Sequence, residues 1–352
     1  MPGVSGVEMK YGLKKAATWS TPVAAGALDG LLCLPTGIRA GDAAVEVDDS
    51  QGLLWSQDGS VGPVTVEGDL PLYLRYDGCD LLLALFMGSA GVPAAHAGGT
   101  ISKDYTYALA DHTDGLFATF ARHWKNYVEE VRSLKVVALT IKGERGKPLQ
   151  LIAKCIGDAS VQDGTNTTVT FANVTLPETA NRIMYSQGVF RLNDQSGAAL
   201  GAGDVVTPNS FELTATRKIS GQYNGLTIGS GTAIRDVIDE PTNDGMPEIT
   251  LKLTFPRHTA KTRLTDLGSD LRKKMDITFT GGIIEGVIPR FFKIELSHMQ
   301  YKSVDIVDEA GNIKEPVEFI CHGCSVAPTG MATLTKPFRI SGTNKLATNP
   351  LA

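Results

Sequence analysis

Apolar and polar residues alternate in eight separate runs along this chain, and that period of two constrains the fold more than any other feature. The runs are VTVEGDLPLYLRY (64–76), LKVVALTIKG (134–143), TTVTFANVTL (167–176), NSFELTATRK (209–218), EITLKLTF (248–255), MDITFTGG (275–282), FKIELSHMQYKSVD (292–305) and EPVEFICHGCSV (315–326). Successive side chains of a strand point to opposite faces, so each run buries one face and wets the other. Turn residues separate the runs. The fold class is therefore mainly β, built from antiparallel sheets.

Two helices are expected. Cys79–Met87 starts beside Asp77 and Asp80 and stops at Gly88, a glycine stop signal. Ala260–Lys274 places Leu264, Leu267 and Leu271 on one stripe, with Lys and Arg at its C-terminal end, where the helix dipole favours them. Inside the first helix, the seven residues Leu81 to Met87 are all apolar. A bilayer crossing takes roughly 20 such residues, so the run is no membrane span, yet it is too greasy for a helix with one wet face. Two covers fit: a neighbouring subunit, or the second half of the same chain.

These helices expose a repeat. The first half reads strand (64–76), helix (79–87), loop, strand (102–109), strand (116–123). The second reads strand (248–256), helix (260–274), strand (275–281), loop, strand (291–302). The expected architecture is two antiparallel β-sandwich or barrel units in tandem, each with a flanking short helix. Residues 1–180 form the first with an N-terminal arm, 181–332 the second, and 333–352 a C-terminal arm. Residues 35–62 and 90–101 read as long loops.

Composition narrows the function. Among 352 residues, 42% are hydrophobic and 20% charged, enough apolar content for a core. Residues 1–180 carry 14 basic and 20 acidic side chains, residues 181–352 carry 19 and 18, and the whole chain is −5. A mildly acidic chain without a basic cluster is unsuited to gripping nucleic-acid phosphates. The five cysteines are odd in number and widely spaced, and the N-terminus lacks an apolar signal core, so reduced thiols in a cytoplasm are expected.

Chemistry is nearly silent. CHGC (321–324) suggests zinc or redox use, but a closed zinc site needs four ligands and no second pair exists. In a strand, positions three apart face opposite ways, so a structural strand is expected there. The six histidines include no pair at i, i+4. GLTIGSGT (225–232) lacks the Lys-Ser/Thr of a phosphate loop. No catalytic residue, metal or cofactor is expected. Open sheet edges and an apolar segment its own domain does not fully cover point instead to self-association.

The order KYGLKKAATWSTPV, then VEGDLPLYLRYDGCDLLLALFMGS, then YTYALADHTDGLFATFARHW resembles the tail tube proteins of long-tailed (siphovirus-like) bacteriophages. EVRSLKVVALTIKGERGKPLQLIAKCIGDAS and MDITFTGGIIEGVIPRFFKIELSHMQYKSVDI are similar to the family's later strand regions. The resemblance spans most of residues 5–327. It implies packed antiparallel sheets with a flanking helix, and a structural, non-enzymatic subunit of stacked rings forming a hollow tube. The implied partners are identical copies, a tape-measure protein in the lumen, tail-end proteins and transiently passing DNA, with no membrane. The implied location is the virion tail, after assembly in the host cytoplasm. Two units per chain make three chains per ring, with pseudo-sixfold symmetry, the preferred stoichiometry and six the alternative. Another virion role, as tail terminator, distal tail or capsid decoration protein, is the competing reading.

Candidate interface residues are Leu81, Leu82, Leu85 and Phe86 on the first helix. Ile283, Ile284, Val287, Ile288 and Phe291 in GGIIEGVIPRFF (281–292) are candidates for ring-to-ring contact, as is the loop at 90–104. A bore that conducts DNA favours acidic lining, for which Asp48, Asp49, Asp69 and Glu130 are candidates.

Overall fold

Alternation becomes strand almost wherever it occurs. In the computed structural model, which describes residues 8–46, 59–230, 234–309 and 311–352, 20 strands are joined through backbone ladders into one network. Every pairing between named strands is antiparallel. The apolar faces meet in one large core that draws residues from both halves, including Leu72, Leu139, Leu213, Leu251, Phe279 and Phe319. The fold is mainly β, as expected, with layers of sheet enclosing that core.

One scheme of pairing runs through the chain twice. In the first round, Gly59–Tyr73 pairs with the preceding Arg39–Glu46 and leads, six residues on, into helix α1 (Asp80–Met87). Phe117–His123 then pairs with the long strand Val128–Glu144, which pairs with Gln150–Gly157, which returns to Gly59–Tyr73. In the second round, Glu248–Phe255 pairs with the preceding Ser210–Thr216 and leads, again six residues on, into a helix at Thr262–Gly268. Lys273–Glu285 pairs with the long strand Ile288–Val304, which pairs with Asn312–Cys321, which returns to Glu248–Phe255. Both long strands have 17 residues. Outer strands match as well: Lys10–Ala16 lies on Phe117–His123 as Gly188–Asp194 lies on Lys273–Glu285.

The match differs from the one read off the sequence. Lys103–Leu109 has no counterpart in the second round, so Phe117–His123 corresponds to Lys273–Glu285 and Val128–Glu144 to Ile288–Val304. The C-terminal residues are no arm. Phe338–Asn344 is an interior strand, bonded to Ile288–Val304 on one side and Lys103–Leu109 on the other.

Four local expectations also fail. Residues 35–62, read as a loop, contain the strand Arg39–Glu46 and run into Gly59–Tyr73. Residues 167–176 do not form a strand; Thr167 accepts from the Thr170 N–H and caps a one-turn helix, α2 (Thr168–Phe171). Threonines suit such caps as well as strands, so alternation misleads there. The expected helix 260–274 shrinks to α3, Thr262–Gly268. Asp270 turns the chain at φ 52°, and Lys273 and Lys274 enter a strand instead of capping a helix. The last predicted strand stops at Cys321, leaving Cys324 in the following loop with its Sγ 3.5 Å from the Leu334 carbonyl oxygen.

Eight strands form a layer that spans both rounds. In order they are Arg39–Glu46, Gly59–Tyr73, Gln150–Gly157, Val128–Glu144, Ser210–Thr216, Glu248–Phe255, Asn312–Cys321 and the distal half of Ile288–Val304. The two rounds meet within it where 138–144 of the first long strand bonds 210–216.

Candidate assembly surfaces

Helix α1 shows why an apolar run need not mark an interface. Leu82, Leu85 and Phe86 are all at most 2% exposed within the single chain, and Leu81 is half-buried against the same core. The helix packs on Val128–Glu144, Lys103–Leu109 and Lys10–Ala16. These residues are therefore corrected from interface to core. The cover is the chain itself, and the second half supplies both polar ends. At the C-terminal end, Arg217 donates from Nε to the Phe86 carbonyl (2.8 Å) and from a terminal nitrogen to the Met87 and Ala110 carbonyls (3.1 and 3.0 Å). A cation over a helix C-terminus suits the dipole; burial lowers this guanidinium only to about 10, so it stays charged at neutral pH. At the N-terminal end, Asp80 Oδ1 accepts from the Tyr107 hydroxyl (2.8 Å) and Asn344 Nδ2 (2.9 Å). Burial pushes the Asp80 carboxyl up, against the downward pull of those two bonds.

The second apolar segment behaves differently. Lys273–Glu285 and Ile288–Val304 run into a tight hairpin in which Glu285 faces Ile288 across Gly286 and Val287. Gly286 supplies the left-handed φ of 55° that the turn needs. Ile283 is 62% exposed and Val287 88%. Ile284 is half-buried, Ile288 is buried, and Phe291 is half-buried in the ladder beside Thr343. Of the five hairpin candidates, only Ile283 and Val287 stand free.

Glu285 fixes this tip to the loop at 90–104, which sequence alone left unconnected to it. Its Oε1 accepts from the backbone N–H of Thr100 (2.8 Å), Ile101 (2.9 Å) and Ser102 (2.7 Å), and from the Ser102 hydroxyl (2.6 Å). Its Oε2 accepts from the Thr100 hydroxyl at 2.8 Å. The Ser102 and Thr100 donors hold the Glu285 carboxyl down to about 2; donors aimed at the charged form stabilise it. Gly99 makes room for this clamp, since a Cβ there would lie 2.7 Å from Glu285 Oε1 and 1.9 Å from Ser102 Oγ. The clamp presents Ile101, 52% exposed, on the loop it holds against the Ile283–Val287 hairpin. At the hairpin base, Arg290 Nε donates to Asp77 Oδ2 at 2.8 Å, tying the same tip to the approach of α1. Neither Glu285 nor Gly99 carries a sequence signal that singles it out.

The acidic candidates separate. Asp48 and Asp49 lie outside the described residues. Glu130 is fully buried and faces no bore; it accepts from the Asn166 N–H (2.7 Å) and the Asn166 side-chain amide (2.5 Å). Asp69 is exposed and stands opposite Lys154 on the eight-stranded layer. That face is charge-alternating, not acidic: Lys142, Glu212, Lys252 and Glu318 are successive cross-strand neighbours, and Lys302 Nζ donates to Glu318 at 2.9 Å. Opposite charges in register steady a sheet and leave little net field. The row beside it carries Thr140, Thr214 and Thr250.

Among the described residues, no group of three or more His, Cys, Asp or Glu side chains is placed to hold a metal ion, and no helix is long and apolar enough to cross a membrane. Cys321 is buried, and its thiol is pushed up by burial.

No curated protein matches the chain. The family model described as phage tail tube protein matches residues 6–321, which takes in both rounds of strand pairing up to Cys321. The chain belongs to the phage tail tube protein family.

Proposed function

We propose that three copies of this tail tube protein close into a ring with pseudo-sixfold symmetry, and that the rings stack into the hollow conduit through which DNA leaves the virion. The observation that carries the stoichiometry is the scheme of pairing that occurs twice per chain. Three chains then supply six similar stations around the axis. A heterologous contact that closes makes a ring, and a second contact along the axis extends it without limit.

In this reading the eight-stranded layer turns its polar face to the bore. Its Lys–Glu rows and threonines offer phosphate neither a basic surface to stick to nor a strong field to cross. The same bore holds a tape-measure protein before ejection, and tail-end proteins close the tube. Assembly takes place in the host cytoplasm, and the finished subunit resides in the virion tail. The clamped tip of Ile101, Ile283 and Val287 is the contact between successive rings; burying each such side chain is worth roughly 1.5–3 kcal/mol. Glu285 keeps the two halves of that tip together when no neighbour is present.

A mass measurement of one isolated ring tests the proposal. Three times the 37.4 kDa chain is about 112 kDa, against about 224 kDa for six. A six-chain ring would overturn the pseudo-sixfold scheme. Negative-stain microscopy at rising concentration tests the tube itself: tubes of uniform bore support it, and isolated rings or monomers favour a terminator, distal tail or decoration role.

A further inference from the structure

We infer that Asn224 is a self-modification site: in the folded chain its side-chain amide is converted, without an enzyme, to a carboxylate as aspartate and isoaspartate. The inference stands apart from the ring and tube reading.

Asn224 is the only asparagine in the chain followed by glycine. It stands in the excursion 217–247, which leaves Ser210–Thr216 and returns to Glu248–Phe255. Two short ladders shape this excursion: Ile219–Ser220 with Thr242–Asn243, and Thr227–Ile228 with Arg235–Asp236. Its returning arm is fixed to the first round. The Trp19 indole donates to the Ile238 carbonyl at 3.0 Å, and buried Lys135 donates from Nζ to Glu240 (2.8 Å) and to the Pro241 carbonyl (2.7 Å). Residues 221–226 join the two ladders on the outgoing side, and Asn224 and Gly225 are both exposed there.

The two reacting groups are free to meet. Among the described residues, nothing hydrogen-bonds to the Asn224 side chain or to the Gly225 N–H. A Cβ on Gly225 would have no neighbour within 4 Å, and the residue sits at φ 97°, a conformation that glycine adopts at no steric cost. The Asp–Gly pairs, which share this chemistry, are held instead. Asp29 accepts from the Gly26 N–H at 2.6 Å, Asp77 binds Arg290 and the Lys345 N–H, and Asp163 accepts from the Val128 N–H at 2.9 Å. The glycines after them are crowded as well: a Cβ would lie 2.0 Å from the Thr175 carbonyl oxygen at Gly30 and 2.8 Å from Pro177 at Gly78.

Solvent hydroxide removes the Gly225 N–H proton, and the nitrogen attacks Cγ of Asn224. The N–Cγ bond forms, the Cγ–Nδ2 bond breaks, and the amide leaves as ammonia with a proton from water. Water then opens the five-membered succinimide at one carbonyl or the other, giving aspartate or isoaspartate. No group is oxidised or reduced, and water is the sole co-reactant. The product carries one more negative charge. It follows Tyr223, whose hydroxyl is already pushed up by burial and by Glu67 and Asp236.

Ageing the purified full chain at mildly alkaline pH, with native circular dichroism checked at the end, tests the site by peptide mass mapping. The peptide carrying residue 224 is expected to gain about 1 Da and to resolve into aspartate and isoaspartate forms, about tenfold or more faster than any other asparagine. An unchanged peptide, or equal conversion at another asparagine, overturns the inference. Asn224→Gln gives an independent readout, because its longer side chain closes the ring far less readily. Methyl labelling of isoaspartate in the aged chain should fall by about tenfold or more in this variant. Labelling as strong as in wild type overturns the assignment to Asn224.

Discussion

Helices α1 and α3 occupy the same station, each following its strand after six connecting residues, yet they have opposite fates. In α1, six of eight residues are buried. In α3 none is; Leu264 is exposed and Leu267 is half-buried. Local composition already separates them: seven of the eight residues of α1 are apolar, whereas α3 sets Leu264 and Leu267 among Thr, Arg and Asp. The cover the chain lays over each helix matches that composition. Lys103–Leu109, the strand present only in the first round, packs on α1, and the C-terminal strand that pairs with it brings Asn344 to Asp80. Nothing equivalent follows α3. The extra strand of the first round covers a helix that has no polar face to show, and the mostly polar α3 is left at the surface.

The sharpest way to break this comparison is to charge both helices. Leu82→Asp forces an unpaired carboxylate into a fully apolar site and is expected to cost about 4 kcal/mol or more, leaving little soluble protein. Leu264→Asp is expected to stay within about 0.5 kcal/mol of wild type by thermal melting. Equal losses from the two would end the distinction. Phe86→Ala should cost about 3–5 kcal/mol through the cavity it leaves, and Leu267→Ala about 1 kcal/mol. Denaturant midpoints at unchanged slope would check both. Arg217→Met removes the donor to three carbonyls at the end of α1 and should cost about 2–3 kcal/mol. A melting curve unmoved by that change would mean water satisfies those carbonyls equally well.

The hairpin tip extends the comparison to a segment whose apolar side chains, Ile283 and Val287, stay exposed in the single chain. Val287→Asp is expected to leave the melting temperature within error and to yield rings that no longer stack, visible by microscopy. Loss of folding instead would place Val287 with α1. The smallest effect is on pH. The Glu285 carboxyl is depressed in the folded chain to about 2, so the clamp's contribution is complete above the ordinary value of 4.5 and fades as pH falls toward about 2. Amide protection at residues 100–102, followed from neutral pH down to about 2, should decline over that window and vanish at neutral pH in Glu285→Ala, which leaves no acceptor. Protection unchanged through the window would remove the carboxylate from the clamp.

Strand identity was legible wherever a strand is wet on one face. EITLKLTF, from Glu248 to Phe255, shows its alternation in sequence and in burial alike, because each residue's exposure depends only on which face it occupies. The family, too, was legible, as a resemblance carried by segments such as VEGDLPLYLRYDGCDLLLALFMGS. What the runs could not show was their partners. Glu130 looked like an acidic surface residue and is sealed under Asn166. Residues 333–352 looked like an arm and supply an interior strand. Lys273 and Lys274 looked like the end of a helix and begin a strand.

Sequence by itself determined that this chain folds into antiparallel sheets with a repeated strand-then-helix order, because periodicity is a local property carried by neighbouring side chains. Only the tertiary structure decided which apolar run becomes core, which loop meets the 281–290 hairpin, and which sheet edges remain open. Those outcomes depend on ladders between residues up to about 240 positions apart, as between Lys103 and Asn344, and no local pattern encodes such pairings.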